Sequence, residues 1–349
     1  MISDRGPWLV HIAVLLALAA FAPVEGWAQV DVPKFLSEGV GFSSKDLEKL
    51  AGGQAVIKVP KPEDNVEVQV FGAVLVSASA EFLIQGFRDF NAPVSDASTI
   101  MQMGRLSIPP AAADLARLEI PKDDVKALRG CQVGKCDVKL PAGAIERFLD
   151  DVDWSADDYS RQVHALFAQL LAGYAQAYMS EGSAALATYD DKSEPLSVAE
   201  GIRRLLAESS HFVTYDAAFQ RYLDRYPNEQ LPGVEDIFYW SVEDISLKPV
   251  IGLKHMAIRT APETTGVDAI IATKQLYASH YFQAALDFVS VVTVPGRDEV
   301  YLLWVLRQRF DGEVSGIKRI MLERGLRNHI AEMLKSLKKE TEKTYKASR

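Results

Sequence analysis

Six histidines, two cysteines and several acidic pairs are the residues of this chain best suited to chemistry. Beyond the first residues the histidines are His164, His211, His255, His280 and His329. No two of them stand at His-x-x-x-His spacing and no His-Glu-x-x-His occurs, so the sequence offers no paired imidazoles for zinc. A Gly-x-Ser-x-Gly elbow, a phosphate-binding P-loop and a complete Gly-x-Gly-x-x-Gly are also missing. Asp150-Asp151, Asp157-Asp158 and Asp190-Asp191 fall in expected loops or helix starts, where such pairs cap helices more often than they form an acid/base couple. No metal, cofactor or catalytic residue is expected from these patterns.

The cysteines are Cys131 and Cys136, in Gly130-Cys-Gln-Val-Gly-Lys-Cys-Asp137. Thiols this close pair in an oxidising compartment, and Gly134 gives the short ring its backbone freedom. A disulfide is expected. A redox Cys-x-x-Cys and a haem-attaching Cys-x-x-Cys-His are absent.

More informative are polar and aromatic residues inside stretches that read as strands: Trp240, His255, Lys274, Tyr277, His280, Tyr281, Phe282, Trp304 and Arg307. Strict alternation puts Lys274, Leu276, Ala278, His280 and Phe282 on one face, and Gln275, Tyr277, Ser279 and Tyr281 on the other. Both faces mix polar tips with rings. Trp240, His255, Tyr277, His280, Tyr281, Phe282 and Trp304 are therefore the candidate ligand-binding residues. The same pattern fits an ordinary core whose Tyr and His tips find hydrogen-bond partners.

The elements that position these residues come late in the chain. Asp236–Leu247, Ile251–Thr260, Ala269–Val294 and Glu299–Phe310 are rich in β-branched and aromatic residues, and Lys248-Pro249, Ala261-Pro262 and Pro295-Gly296 punctuate them. After Asp311-Gly312 the period becomes helical, with Ile317, Met321, Leu322, Leu326, Ile330, Met333, Leu334 and Leu337 forming one apolar stripe. Upstream, Ser43–Leu50 reads as a helix, Ala55–Val59 and Val66–Val76 as strands, Ala80–Phe90 as a helix capped by Ser79, and Met101–Ile108 as a strand. Asp157–Met179, Val198–Glu208 and Tyr215–Tyr226 read as helices of an insert spanning about 157–227.

Arg5 precedes the apolar run Trp8–Pro23, and Gly26-Trp27-Ala28 supplies small residues where a signal peptidase reads. A cleavable signal peptide over 1–28, cut after Ala28, and a periplasmic or secreted mature chain over 29–349 are expected. The net charge of −9 disfavours general nucleic-acid binding. The end of the chain differs: Ile317–Arg349 carries ten Lys or Arg against four Asp or Glu. Its basic tail, about 338–349, is either a solvated face or a weak contact for an anionic membrane or acidic partner.

Two stretches carry a family resemblance. Val66–Phe90 reads Val-Glu-Val-Gln-Val-Phe-Gly-Ala-Val-Leu-Val-Ser-Ala-Ser-Ala-Glu-Phe-Leu-Ile-Gln-Gly-Phe-Arg-Asp-Phe, a long strand entering a helix, and Asp236–Leu337 is a set of strands ending in a helix. The chain resembles the START-like (SRPBCC, helix-grip) superfamily in this order, and the insert is a departure from it. The resemblance implies an α+β fold in which an antiparallel sheet grips a long C-terminal helix. It also implies an apolar ligand, such as a lipid, sterol or polyketide, held between the two. Three functions remain open: a cell-envelope protein binding such a molecule, a structural or interaction protein with a packed core, and a cyclase- or hydrolase-type enzyme using His255, His280 or Arg307 in the same pocket.

Overall fold

Runs of Val, Ile, Leu and aromatic residues long enough to be buried on both sides decide the architecture, because such strands need a cover on each face. The computed structural model describes residues 31–61, 64–89, 100–209, 216–245, 248–260 and 266–349. The expected signal peptide and its cleavage after Ala28 lie outside them, as does His211. In chain order the elements are α1 (Val32–Lys34), α2 (Ser44–Ala51), β1 (Val56–Lys58), β2 (Glu67–Val76), α3 (Ala80–Arg88) and β3 (Ile100–Arg105). The helical middle follows as α4 (Lys122–Leu128), α5 (Ala142–Asp150), α6 (Tyr159–Glu181), the short pair β4 (Thr188–Tyr189) and β5 (Leu196–Ser197), α7 (Val198–Glu208) and α8 (Ala217–Arg225). The last third is β6 (Val234–Glu243), β7 (Val250–Thr260), β8 (Ala269–Ala278), β9 (Phe282–Thr293), β10 (Val300–Phe310) and α9 (Gly316–Ser348).

Eight strands form one antiparallel sheet in the order β1-β2-β10-β9-β8-β7-β6-β3, and α9 packs on it. The class is α+β, an antiparallel sheet with a long C-terminal helix across one face and inserted helices on the other. On the α9 face, Val68, Val70, Val74 and Val76 of β2 meet Leu83 and Phe87 of α3 and Ile330, Met333, Leu334 and Leu337 of α9. The helix comes close to the sheet at Gly72, where an added Cβ would fall 2.7 Å from Leu334 and 2.8 Å from Ile330. On the insert face, Phe148, Phe167, Leu205 and Phe219 pack with Trp240, Leu253, Leu286 and Phe288 in a second core.

Four expectations need correction. The stretch Ala269–Val294 is two strands, because the chain turns at Ser279-His280-Tyr281 with Tyr281 at φ +60°. The alternation across β8 is broken: Leu253 pairs with Tyr277 but Lys254 with Gln275, so Leu276 is an extra residue. Leu276 and Tyr277 both enter the insert-face core in consequence. The helical region starts before 157, since α4 and α5 precede it. The stripe on α9 is only partly covered: Ile330, Met333, Leu334 and Leu337 are buried, whereas Ile317 and Met321 are 77% and 68% exposed. The basic tail, conversely, stays helical and docks. Lys338 Nζ donates to the Leu75 carbonyl (2.7 Å), Glu342 accepts from the Ser77 N–H (2.8 Å), and the Tyr345 ring lies 4.9 Å from Phe82.

Candidate functional site

On the α9 face the register assembles polar residues among apolar ones. One row across the sheet reads Met256, Thr273, Asp287 and Leu306. Next to it Lys254 stands opposite Gln275, and Ala285 opposite Gln308. On the other side of Asp287 the row is Ile271, Val289 and Trp304. Ala285 leaves room where a larger side chain would fill the space between sheet and helix. The result is a cavity of about 90 Å³ whose lining also includes Phe87, Ile100, Met103, Tyr239 and Glu243, with His329, Ile330 and Met333 from α9. This is less than the ~150 Å³ that accepts a benzene ring, so it has room for a few waters or about four or five non-hydrogen atoms.

Five buried side-chain polar atoms in the described structure lack a hydrogen-bond partner, and four belong to this lining: Gln275 Nε2, Asp287 Oδ1, Trp304 Nε1 and Gln308 Oε1. An unsatisfied buried group costs about 1–3 kcal/mol, so four around one space mark a place where a ligand or water is needed. Charge is unevenly matched as well. Lys254 forms an ion pair with Glu243, which also accepts from Ser241 Oγ (2.7 Å). Burial works against the Lys254 charge, yet Glu243 and Tyr239 hold its pKa above the usual value; Glu243 is held low by Lys254 despite its own burial. Asp287 is raised to about 7, by burial first and by repulsion from Glu243, with Lys254 opposing. His329 is lowered by burial and by Lys254, so it is neutral at pH 7.

The candidate residues from the sequence are divided between the two faces. Trp304 lines the cavity. Phe282 shares the α9-face core, its ring 5.1 Å from Phe310. Trp240 packs in the insert-face core and donates its Nε1 hydrogen to the Asp114 carbonyl (3.0 Å). Tyr277 follows the β8 bulge to the same side, 6.2 Å from the Phe167 ring, and its hydroxyl is the fifth unpartnered atom. His280 donates from Nε2 to the buried Asp124 carboxylate (3.0 Å). The Tyr281 hydroxyl accepts from the Lys248 N–H (3.0 Å) at the sheet's end.

His255 is fully buried on the insert face. Its Nε2 donates to Asp236 Oδ1 (2.7 Å), its Nδ1 lies 3.1 Å from the Tyr178 hydroxyl, and Tyr222 donates to Asp236 Oδ2 (2.6 Å). Burial lowers its pKa to about 4. Nearby Lys274 Nζ donates to the Leu223 carbonyl (2.8 Å) and is lowered by burial to about 7. This constellation resembles an acid/base relay in composition, but no cavity reaches it among those described, and its polar tips already have partners. Arg307 likewise holds Glu67 (2.7 Å), Ser209 Oγ (2.8 Å), the Leu205 carbonyl and Glu208.

Sequence reasoning missed Glu243, Lys254, Gln275, Asp287, Gln308 and His329 as members of one site. For all of these but His329, which lies on α9, the available signal was a charged or amide residue within an otherwise apolar strand, at the parity of neighbours that face α9. The cysteines pair as expected, Cys131 with Cys136, in a loop whose Gly134 and Cys136 N–H groups donate to the Asp190 and Asp191 carbonyls. A wider groove on another side of α9 is lined by Lys335, Lys338, Lys339, Lys343 and Lys346 with Glu332 and Glu342. No protein-family model and no curated protein matches the chain.

Proposed function

We propose that this chain is a binding protein of the cell envelope that holds a small, largely apolar molecule between the sheet and α9. The observation that carries the reading is the cavity itself: largely apolar walls whose lining residues include four with a buried polar atom that no protein group satisfies. The resemblance to START-like proteins supports the same location for a ligand. At about 90 Å³ the space takes a small molecule or the polar end of a longer one. The apolar leader points to export, and the lysine-lined groove along α9 offers a contact for an anionic membrane surface. A second reading, a packed scaffold whose polar cavity holds only water, is favoured by the cavity's size. Native mass spectrometry of protein purified from its own host separates the two. A one-to-one adduct that disappears in Ala285→Leu supports binding. Protein that carries no adduct and takes up no small apolar probe is the scaffold.

A further inference from the structure

The chemistry of the cavity also restricts what can enter it, on the reading that it binds a ligand. Charged and titratable groups face the space from four elements: Glu243 of β6, Lys254 of β7, Asp287 of β9 and His329 of α9, with the Tyr239 ring beside them. Glu243 and Lys254 neutralise one another, and His329 is neutral. Asp287 remains, with an oxygen that accepts no hydrogen bond, and the Gln308 carbonyl oxygen beyond Ala285 is in the same position. We propose that the ligand is a small apolar amine, bound as its ammonium ion between Asp287 and Gln308, and that the site excludes carboxylates.

Electroneutrality decides among the head groups. With an ammonium bound, two carboxylates face two cations and the buried charges sum to zero. A carboxylate ligand leaves the cavity at −1 even when Asp287 is protonated, and at −2 otherwise. Like charges about 5 Å apart at an effective dielectric of 20 repel by roughly 3 kcal/mol. An alcohol can donate its O–H to Asp287 but leaves the carboxylate charge uncompensated, so it falls behind the amine as Asp287 ionises through pH about 7. The indole N–H of Trp304 and the amide N–H of Gln275 are left to donate to a hydroxyl borne by the same ligand, and the Trp304 ring flanks the cation.

A series matched in its number of non-hydrogen atoms tests this on the intact protein: isobutylamine, isobutanol and propionate, titrated by calorimetry or ligand-observed NMR at pH 6 and pH 8. Isobutylamine is expected to bind at least tenfold more tightly than isobutanol at pH 8, and to tighten about tenfold from pH 6 to pH 8 as Asp287 ionises. Propionate is expected not to bind, and Asp287→Asn to remove the amine's advantage. The series itself needs no variant, so a misfolded Asp287→Asn leaves the test intact. Propionate or isobutanol binding as tightly as the amine at pH 8 overturns the charge assignment while leaving the binding function standing. Silence from all three ligands overturns both.

Discussion

Ala284 and Ala285 are consecutive residues of β9 whose methyl groups point to opposite faces of one sheet. Behind Ala284 is the insert-face core, where Gly201 of α7 comes so close that an added Cβ would lie 2.8 Å from the Ala284 Cβ. Behind Ala285 is the cavity under α9. Both faces carry histidines, acids and amides, yet the insert face ties these groups to partners, as in Tyr222–Asp236–His255–Tyr178, His280–Asp124 and Arg307–Glu67, and of its buried polar side-chain atoms among the described residues only the Tyr277 hydroxyl is left open. The α9 face leaves four polar atoms open. Residue type therefore does not separate structure from site in this molecule. What separates them is whether the partner is already present.

The largest effect is expected where partnership is most complete. Arg307→Leu strips buried Glu67 of its principal cation and should cost about 3–5 kcal/mol in denaturant unfolding at neutral pH. A loss below 1 kcal/mol would show that the insert-face network is not what fixes that side.

Titration gives the two faces opposite signs. His255 has a folded pKa of about 4 against an ordinary 6.5, so its contribution is complete above pH 6.5 and is lost as pH falls toward 4. Asp287 has a folded pKa of about 7 against 3.8, so stability is lost as pH rises from about 4 to 7. Relative to wild type, His255→Gln should lose its deficit toward acid pH, and Asp287→Asn should gain stability toward neutral pH. Each difference should reach about 1–3 kcal/mol across its window. Chemical unfolding at pH 4.5, 6 and 7.5 checks both, and slopes of the same sign would contradict the assignment.

The Cys131–Cys136 disulfide joins residues only 5 apart in sequence, so its reduction should cost about 2 kcal/mol or less and leave the sheet intact. Near-ultraviolet circular dichroism with and without reductant measures this, and collapse of the signal would give the loop a larger role than its ring size allows.

The strands and the terminal helix were legible because β-rich runs and a 3.6-residue period are local signals. The division of Ala269–Val294 was not, because the turn contains neither Gly nor Pro. It is held instead by long-range contacts: the Asp311 N–H donates to the Tyr281 carbonyl (2.8 Å) and the Lys248 N–H to the Tyr281 hydroxyl. The bulge at Leu276 then carried Tyr277 to the insert face, which strict alternation cannot foresee. Asp287, Lys254 and Gln308 were visible as polar interruptions of apolar strands. Whether such a residue finds a partner depends on elements distant in sequence: Asp236 finds His255 and Tyr222, and Asp287 Oδ1 finds none.

The most direct test uses the two alanines. Ala285→Leu should place its side chain in existing space, change the unfolding free energy by less than about 1 kcal/mol, and abolish binding of any ligand held under α9. Ala284→Leu should overpack the insert face and cost about 1–3 kcal/mol or more. Equal, large losses from both would contradict the account, because they would mean that the α9 face is as tightly packed as its opposite.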